Sequence, residues 1–419
     1  MSQQPRRAKR ILGKLALVLM GVLFGVAIAE IALRAVGYSY PEFYQLDLTR
    51  GYALRPGVEG WYRKEGEAYI RVNSDGFRDR EHSIAKPAGT FRIAVLGDSY
   101  PEALSVSEAE AFWSVMERKL QECKAFGGKP IEVLNFGVSG YGTAQQLLTL
   151  RERVWKYSPD LVMLTVTTNN DITDNVRELK KTDQIPYFVY KDNQLMLDDT
   201  FKSAPSFVRR QSFINRFGRW LRDNSRVVQA AVAGHHAFKI QLASWRNRSP
   251  QEAQPDQKPQ STGEAKQRED QLSRSEELGT DNLIYLAPGN AVWNDAWRVT
   301  EGLMVKMRDE VQGAGARFVV VTLSNGPQVL PQPQVREALE RRLGITDILY
   351  PDKRIATLGE RERIRVITLA PELQKTAEES GVFLHGFGSN IGNGHWNVAG
   401  HQAAGELIAK KLCQEGPPN

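Results

Sequence analysis

The stretch Phe91-Arg-Ile-Ala-Val-Leu-Gly-Asp-Ser-Tyr100 decides the fold. Its apolar run Ile93-Ala94-Val95-Leu96 stops at Gly97 and delivers Asp98 and Ser99 where a strand would end. A short apolar run bounded by a turn suits a strand buried on both faces of a parallel sheet. In open α/β sheets, ligands bind outside the carboxyl ends of the strands, so a serine just past such a strand has a mechanical reason to be reactive. A Gly-Asp-Ser tripeptide alone is a weak signal. Its position at a strand end, and three further blocks downstream, give it weight.

Working outward, short apolar runs alternate with helical segments, the pattern of βαβ units. Strand Arg92–Leu96 is followed by a helix from about Ser107 to Glu122, strand Ile131–Asn135, helix Ala144–Tyr157 and strand Leu161–Val166. The pattern resumes with helix Asn294–Gln312, strand Arg317–Thr322, helix Arg363–Glu379, strand Val382–Leu384 and a last helix Val398–Cys413. Five strands fit one α/β domain, residues 91–182 and 290–419, interrupted by an insertion at 183–289. Residues 37–90, rich in Gly, Pro and aromatics with a turn at Asp75-Gly76, read as a connector.

The insertion has two parts. Between Asn247 and Thr280 apolar residues almost vanish while Gln, Glu, Lys, Ser and Pro dominate, a composition that predicts disorder. Before it, Phe207, Phe213, Ile214, Phe217, Trp220, Leu221, Val227 and Val228 recur at helical spacing. Arg209, Arg210, Arg216, Arg219, Arg222 and Arg226 lie between them. Such a basic amphipathic segment suits a membrane surface. The commoner arrangement, a cap helix packed on the catalytic domain, is the expectation adopted for it.

The first 36 residues carry an export message. Arg6, Arg7, Lys9, Arg10 and Lys14 precede an apolar run from Leu15 to Ala29. Basic flanks stay on the cytoplasmic side, which places the rest of the chain outside the inner membrane, in the periplasm. The pattern continues through Ile31, Ala32, Leu33, Ala35 and Val36, with Glu30 and Arg34 spaced to pair, and so reaches the roughly 20 residues a span requires. An uncleaved single-pass anchor is therefore preferred over a signal peptide cut after Ala27-Ile28-Ala29. Cys123 and Cys413 suit an oxidising compartment, either as a disulfide or as two buried thiols. Of 419 residues, 41% are hydrophobic, enough for a substantial core, and the net charge of +6 is spread along the chain without a nucleic-acid motif.

A serine hydroxyl is a poor nucleophile until a neighbour accepts its proton, and an acyl-transfer site also needs donors for an oxyanion. Phe136-Gly-Val-Ser-Gly140-Tyr-Gly-Thr143 follows the second strand, with glycines that leave backbone N–H groups accessible. Thr167-Thr-Asn-Asn170-Asp171 follows the third, and Gly394-His395-Trp396-Asn397 precedes the closing helix, where His395 can act as general base. Asn397 reads as the cap of that helix, Trp396 as core, and Asp98 as a turn-stabilising residue. His385 and His401 read as structural. Two cysteines and six histidines show no zinc-ligand spacing, so neither metal nor cofactor is expected.

These four blocks, in this order, resemble the SGNH hydrolases, the GDSL esterase and lipase superfamily. The resemblance covers Phe91 to about Thr173 and Arg317 to Cys413. It implies a three-layer αβα, flavodoxin-like fold with a five-stranded parallel sheet. It also implies Ser99 as nucleophile, His395 as base, and an oxyanion hole from the Ser99 and Gly140 N–H groups and the Asn170 side chain. Two positions depart from the family. Thr168 replaces the glycine expected two residues before Asn170, and Asn393 and Gly392 stand where an aspartate is expected before the histidine. The expected centre is thus a Ser–His dyad oriented by Asn393 or a backbone carbonyl, or a triad closed by a distant acid such as Asp171 or Asp174. The implied activity is hydrolysis of carboxylic esters, foremost O-acetyl groups on an extracytoplasmic polysaccharide. The alternatives are an O-acetyltransferase fed by an acyl-donating membrane partner, a lipid esterase, and a non-catalytic binding protein.

Overall fold

The computed structural model describes residues 4–246 and 282–414, so the predicted disorder at Asn247–Thr280 lies outside the described residues. The chain forms two compact units. One comprises the chain up to Glu42 and the insertion from Arg210 onward; the other comprises Phe43–Arg209 and the chain after the undescribed stretch.

In the second unit the strands are β1 (Tyr44–Asp47), β2 (Gly51–Leu54), β3 (Glu59–Tyr62), β4 (Ala68–Arg71), β5 (Phe91–Leu96), β6 (Ile131–Asn135), β7 (Leu161–Thr167), β8 (Tyr187–Lys191), β9 (Gln194–Asp198), β10 (Arg317–Leu323) and β11 (Arg365–Thr368). The central sheet has the order β11-β10-β7-β5-β6, and all its pairings are parallel. Counted within the sheet alone, that is the 2-1-3-4-5 order of flavodoxin-like folds. Every residue of β5 and β7 is buried, as expected for strands covered on both faces. Alternate side chains serve opposite layers. Ala94 and Leu96 face a core shared with helix Ala291–Gly313, whereas Ile93 and Val95 face one shared with helices Phe112–Glu122 and Val398–Gln414.

Two expectations need correction. The fifth strand is β11, not Val382–Leu384, and the single helix predicted over Arg363–Glu379 is instead this strand followed by the helix Ala370–Ser380, with a separate helix, Tyr350–Glu362, ending just before the stretch. Arg363 adopts a left-handed conformation (φ 55°) that ends the first helix, and Pro371 opens the second. Between them, Val366, Ile367 and Thr368 are β-branched and favour extension. Their spacing continues the apolar pattern of the neighbouring helices, which disguises the break.

Residues 37–90 are also more than a connector. β1 pairs with β2 and β3 with β4, both antiparallel. The two hairpins close over their own small core of Phe43, Leu54, Val58, Ala68, Ile70, Val72 and Leu104.

Cys123 and Cys413 form a disulfide, joining the ends of two helices packed on the same face of the sheet. It closes a loop of sequence separation 290. Chain-entropy arguments give such a closure a stabilisation on the order of 2–5 kcal/mol. Reduction, or the Cys123→Ala/Cys413→Ala pair, should lower the thermal midpoint by several degrees without changing the far-UV spectrum; an unchanged midpoint would show the bridge to be energetically idle.

Candidate active site

Ser99 opens a single helical turn, Ser99–Glu102, directly after β5. Gly97 allows that turn, because a Cβ there would lie 2.1 Å from Thr165 Oγ1. Asp98 caps it by accepting from the Tyr100 N–H (3.1 Å), and also accepts from Thr167 Oγ1 (3.0 Å) and Asn170 Nδ2 (2.8 Å). The expected turn-stabilising residue therefore also fixes the Asn170 amide. Burial pushes the Asp98 carboxyl above its ordinary range despite those three donors.

His395 immediately precedes Trp396, which bridges to His385 just before the closing helix. Trp396 is fully buried and donates to Ser324 Oγ (2.9 Å), and the Asn397 side chain accepts from the Gly400 N–H (3.0 Å) as a helix cap should. Held by these neighbours, His395 places Nε2 2.7 Å from Ser99 Oγ.

The other ring nitrogen meets a carboxylate. His395 Nδ1 is 2.5 Å from Glu65 Oε2, so Nδ1–H donates to Glu65 and Nε2 is left to accept from Ser99. Glu65 stands at the tip of the β3–β4 hairpin, 330 residues away in sequence. Its neighbour Gly66 permits the approach, since a Cβ there would lie 2.2 Å from the Ser105 carbonyl oxygen. The candidate orienting groups of the sequence do not occupy this place. Asp171 accepts from the Thr167 N–H (2.7 Å) and Gln146 Nε2 (2.8 Å), Asp174 pairs with Lys180, and Asn393 only lines the cavity. The sole hint of Glu65 in the sequence is a Glu-Gly at the centre of a short aromatic-rich hairpin.

The electrostatics stem from this contact. Burial alone would lower the His395 pKa, but the hydrogen bond and charge of Glu65, aided by Asp98 and Glu102, raise it above its ordinary value. Glu65 is held below the usual carboxylate range, chiefly by the hydrogen bond from His395. His385 and His401 behave otherwise. His385 is buried between the Gly394 carbonyl (2.8 Å) and Ser324 Oγ (3.1 Å), and burial lowers its pKa to about 4. His401, buried with Nδ1 accepting from the Phe112 N–H (3.2 Å), is lowered to about 3. Both stay neutral at ordinary pH, as structural histidines do.

The candidate oxyanion donors lie on the same sheet edge. Gly140 has φ 76°, and a Cβ there would lie 2.7 Å from Tyr52 Oη. Tyr52 in turn donates to the Ser139 carbonyl (2.8 Å), so β2 clamps this loop. Glu102, pushed up to about 7 by burial, accepts from Tyr44 Oη (2.9 Å) and from Ser139 Oγ. Asn170 spends one amide proton on Asp98 and retains a second to donate. Asn169 also faces the cavity, and its buried Oδ1 has no hydrogen-bond partner among the described residues.

Ser99 and His395 open into a cavity of about 490 Å³. Its wall is rich in amides, from Asn169, Asn170, Asn282, Asn325 and Asn393, with Tyr100 and Tyr285. Among the described residues no cluster of His, Cys, Asp and Glu could hold a metal ion.

Ser99, Gly140 and Asn170 follow β5, β6 and β7 of this flavodoxin-like sheet, and His395 reaches Ser99 from the loop before the closing helix. This sheet order is the one that the resemblance to the SGNH hydrolases implies. No family model and no curated protein matches the chain. Among solved structures it is similar to the acetyl xylan esterase AlAXEase, with 11% identity, TM-score 0.35, and coverage of 77% of this chain and 99% of that one. It is similar to Axe2, an acetylxylan esterase from Geobacillus stearothermophilus, with 10% identity, TM-score 0.35, and coverage of 77% and 94%. It is also similar to a G-D-S-L family protein from Desulfitobacterium hafniense DCB-2, with 10% identity, TM-score 0.33, and coverage of 76% and 98%.

The Glu65 contact makes a signed prediction. Glu65→Gln removes the charge that stabilises the imidazolium, so kcat for an ester substrate should fall by about 10²–10⁴-fold. The acid limb of the pH–rate profile, which reports loss of a proton from His395, should move to lower pH. Asn393→Ala should leave that limb in place. Movement with Asn393→Ala and none with Glu65→Gln would reverse the assignment.

Proposed function

We propose that this protein is a membrane-anchored, extracytoplasmic serine esterase that removes short acyl groups, acetyl foremost, from a hydroxyl-rich substrate such as a polysaccharide. The observation that carries the reading is the chain of contacts from Ser99 to His395 to Glu65 beside an amide-lined cavity. Ser99 Oγ attacks the ester carbonyl as His395 Nε2 takes its proton. Glu65 holds the ring in the required tautomer and stabilises the imidazolium. The Ser99 and Gly140 N–H groups and the second Asn170 amide proton receive the oxyanion, each such donor contributing about 3 kcal/mol. His395 then returns the proton to the departing alkoxide, and water, deprotonated by the same ring, releases the acyl group.

Substrate class is argued from the wall. Five asparagines around the nucleophile match an alcohol bearing many hydroxyls, and Tyr100, Tyr285 and Pro327 give an acyl chain of lipid length little apolar lining. A carboxylate on His395 also favours catalysis over a purely binding role. Location is argued from the other end of the chain. Helix Leu12–Ala35 is long and apolar enough to cross a membrane, the five basic residues at its start favour a cytoplasmic amino terminus, and a structural disulfide suits the far side.

Purified protein should react with a fluorophosphonate probe and hydrolyse p-nitrophenyl acetate faster than the octanoate, with no sugar acceptor required. Ser99→Ala should abolish labelling and lower turnover by at least about 10³-fold, and Asn170→Ala by about 10²-fold. Wild-type protein that neither labels nor turns over acetyl esters would refute the esterase reading. Turnover only in the presence of a glycan acceptor would make it a transferase.

A further inference from the structure

In the N-terminal unit, helix Phe213–Asn224 has no buried residue. Phe213, Ile214, Phe217 and Trp220 are 79%, 81%, 51% and 56% exposed, and with Leu221 they fall on one face. Of the apolar residues that recur at helical spacing only Phe207, which belongs to the other unit, is buried. A naked stripe of this size, carrying stacked Phe217 and Trp220 rings, marks an interaction surface. The charge around it has one sign. From Ser206 to Arg226 there are six arginines and a single acid, Asp223.

What this helix is fastened to indicates its partner. Glu30, near the end of the apolar helix, accepts from the Ser225 hydroxyl (3.0 Å) and from the Arg226 and Val227 N–H groups (3.0 Å each). Arg34 donates to the Asn224 carbonyl (2.7 Å), Arg226 to Ser39 Oγ (3.0 Å), and Arg222 pairs with Glu42. The carboxyl end of the amphipathic helix is therefore pinned at the level where the spanning helix ends, which in a bilayer is the headgroup boundary.

We propose that Phe213–Asn224 is an interfacial helix that lies in the outer face of an anionic bilayer. Phe213, Ile214, Phe217, Trp220 and Leu221 enter the acyl boundary, and the flanking arginines meet lipid phosphates. The proposal rests on the membrane-anchor reading. It adds to a single span a second, in-plane contact.

The test uses the full-length protein reconstituted into phosphatidylcholine vesicles with and without phosphatidylglycerol, carrying an environment-sensitive fluorophore at Phe217→Cys or, on the opposite face, at Asn215→Cys. In anionic vesicles the label at 217 should be quenched by shallow spin-labelled lipid, and its iodide quenching constant should be about threefold or more below that at 215, a contrast that shrinks without phosphatidylglycerol. Iodide access at 217 equal to that at 215, on protein that resists alkaline extraction, overturns the interfacial helix and leaves the anchor standing. Shielding of 217 from both iodide and lipid quencher also overturns it, in favour of contact with protein, another copy included. Release of the protein by alkaline carbonate overturns the anchor and this proposal together.

Discussion

The hydrogen bond between Glu65 and His395 is the constraint around which the candidate site is built. An imidazole accepts a proton from a serine most readily when its other nitrogen is held in the right tautomer, and burial would otherwise disfavour the charged ring. Here the holding group comes from a hairpin that precedes the catalytic sheet. The small hairpin core of Leu54, Ile70 and Leu104 thereby acquires a mechanistic role, because anything that loosens it moves Glu65. The same N-terminal region grips the oxyanion side through Tyr52 on Ser139 and Tyr44 on Glu102. Ser99 and the Gly140 and Asn170 loops follow three strands of one sheet, His395 comes from the loop before the closing helix, and the N-terminal hairpins contact them through Glu65 and Tyr52.

The balance of charge is as informative as the geometry. Asp98, Glu102 and Asp171 are all buried beside the site, and burial raises the pKa of each. Each is surrounded by donors that make it a fixed hydrogen-bond acceptor: Thr167 and Asn170 for Asp98, Tyr44 and Ser139 for Glu102, Gln146 for Asp171. Glu65 alone sits against the imidazole, half exposed, with its pKa lowered by that contact. Environment therefore assigns different work to four nearby carboxyls: three hold the scaffold and one faces the base.

How much of the molecule is legible in the sequence depends on range. The strand leading to Ser99 and the Gly140 and Asn170 loops are each announced locally, by an apolar run ending in turn or amide residues, and a parallel sheet follows from their alternation with helices; His395 is found from its place just before the closing helix, although the strand expected ahead of it is absent. β11 is hidden because four residues, Arg365–Thr368, cannot establish a period of their own between two amphipathic helices. Glu65 is hidden for a different reason. Its role exists only in three dimensions, across 330 residues, and a lone Glu-Gly in a hairpin has no chemistry until His395 is beside it. The missing aspartate before His395 signals that something else must orient the ring; the residue that does so lies beyond what spacing can reach. The amphipathic helix is the converse case, since periodicity finds it but cannot say what covers it.

The most direct measurement of this account is a crystal structure of the detergent-purified protein with a phosphonate covalently bound to Ser99. The account predicts Glu65 Oε2 within hydrogen-bonding distance of His395 Nδ1, with the phosphoryl oxygen facing the Gly140 N–H and the Asn170 amide. A β3–β4 hairpin turned away from the ring, with Asn393, Asp171 or Asp174 bonded to Nδ1 instead, would contradict it.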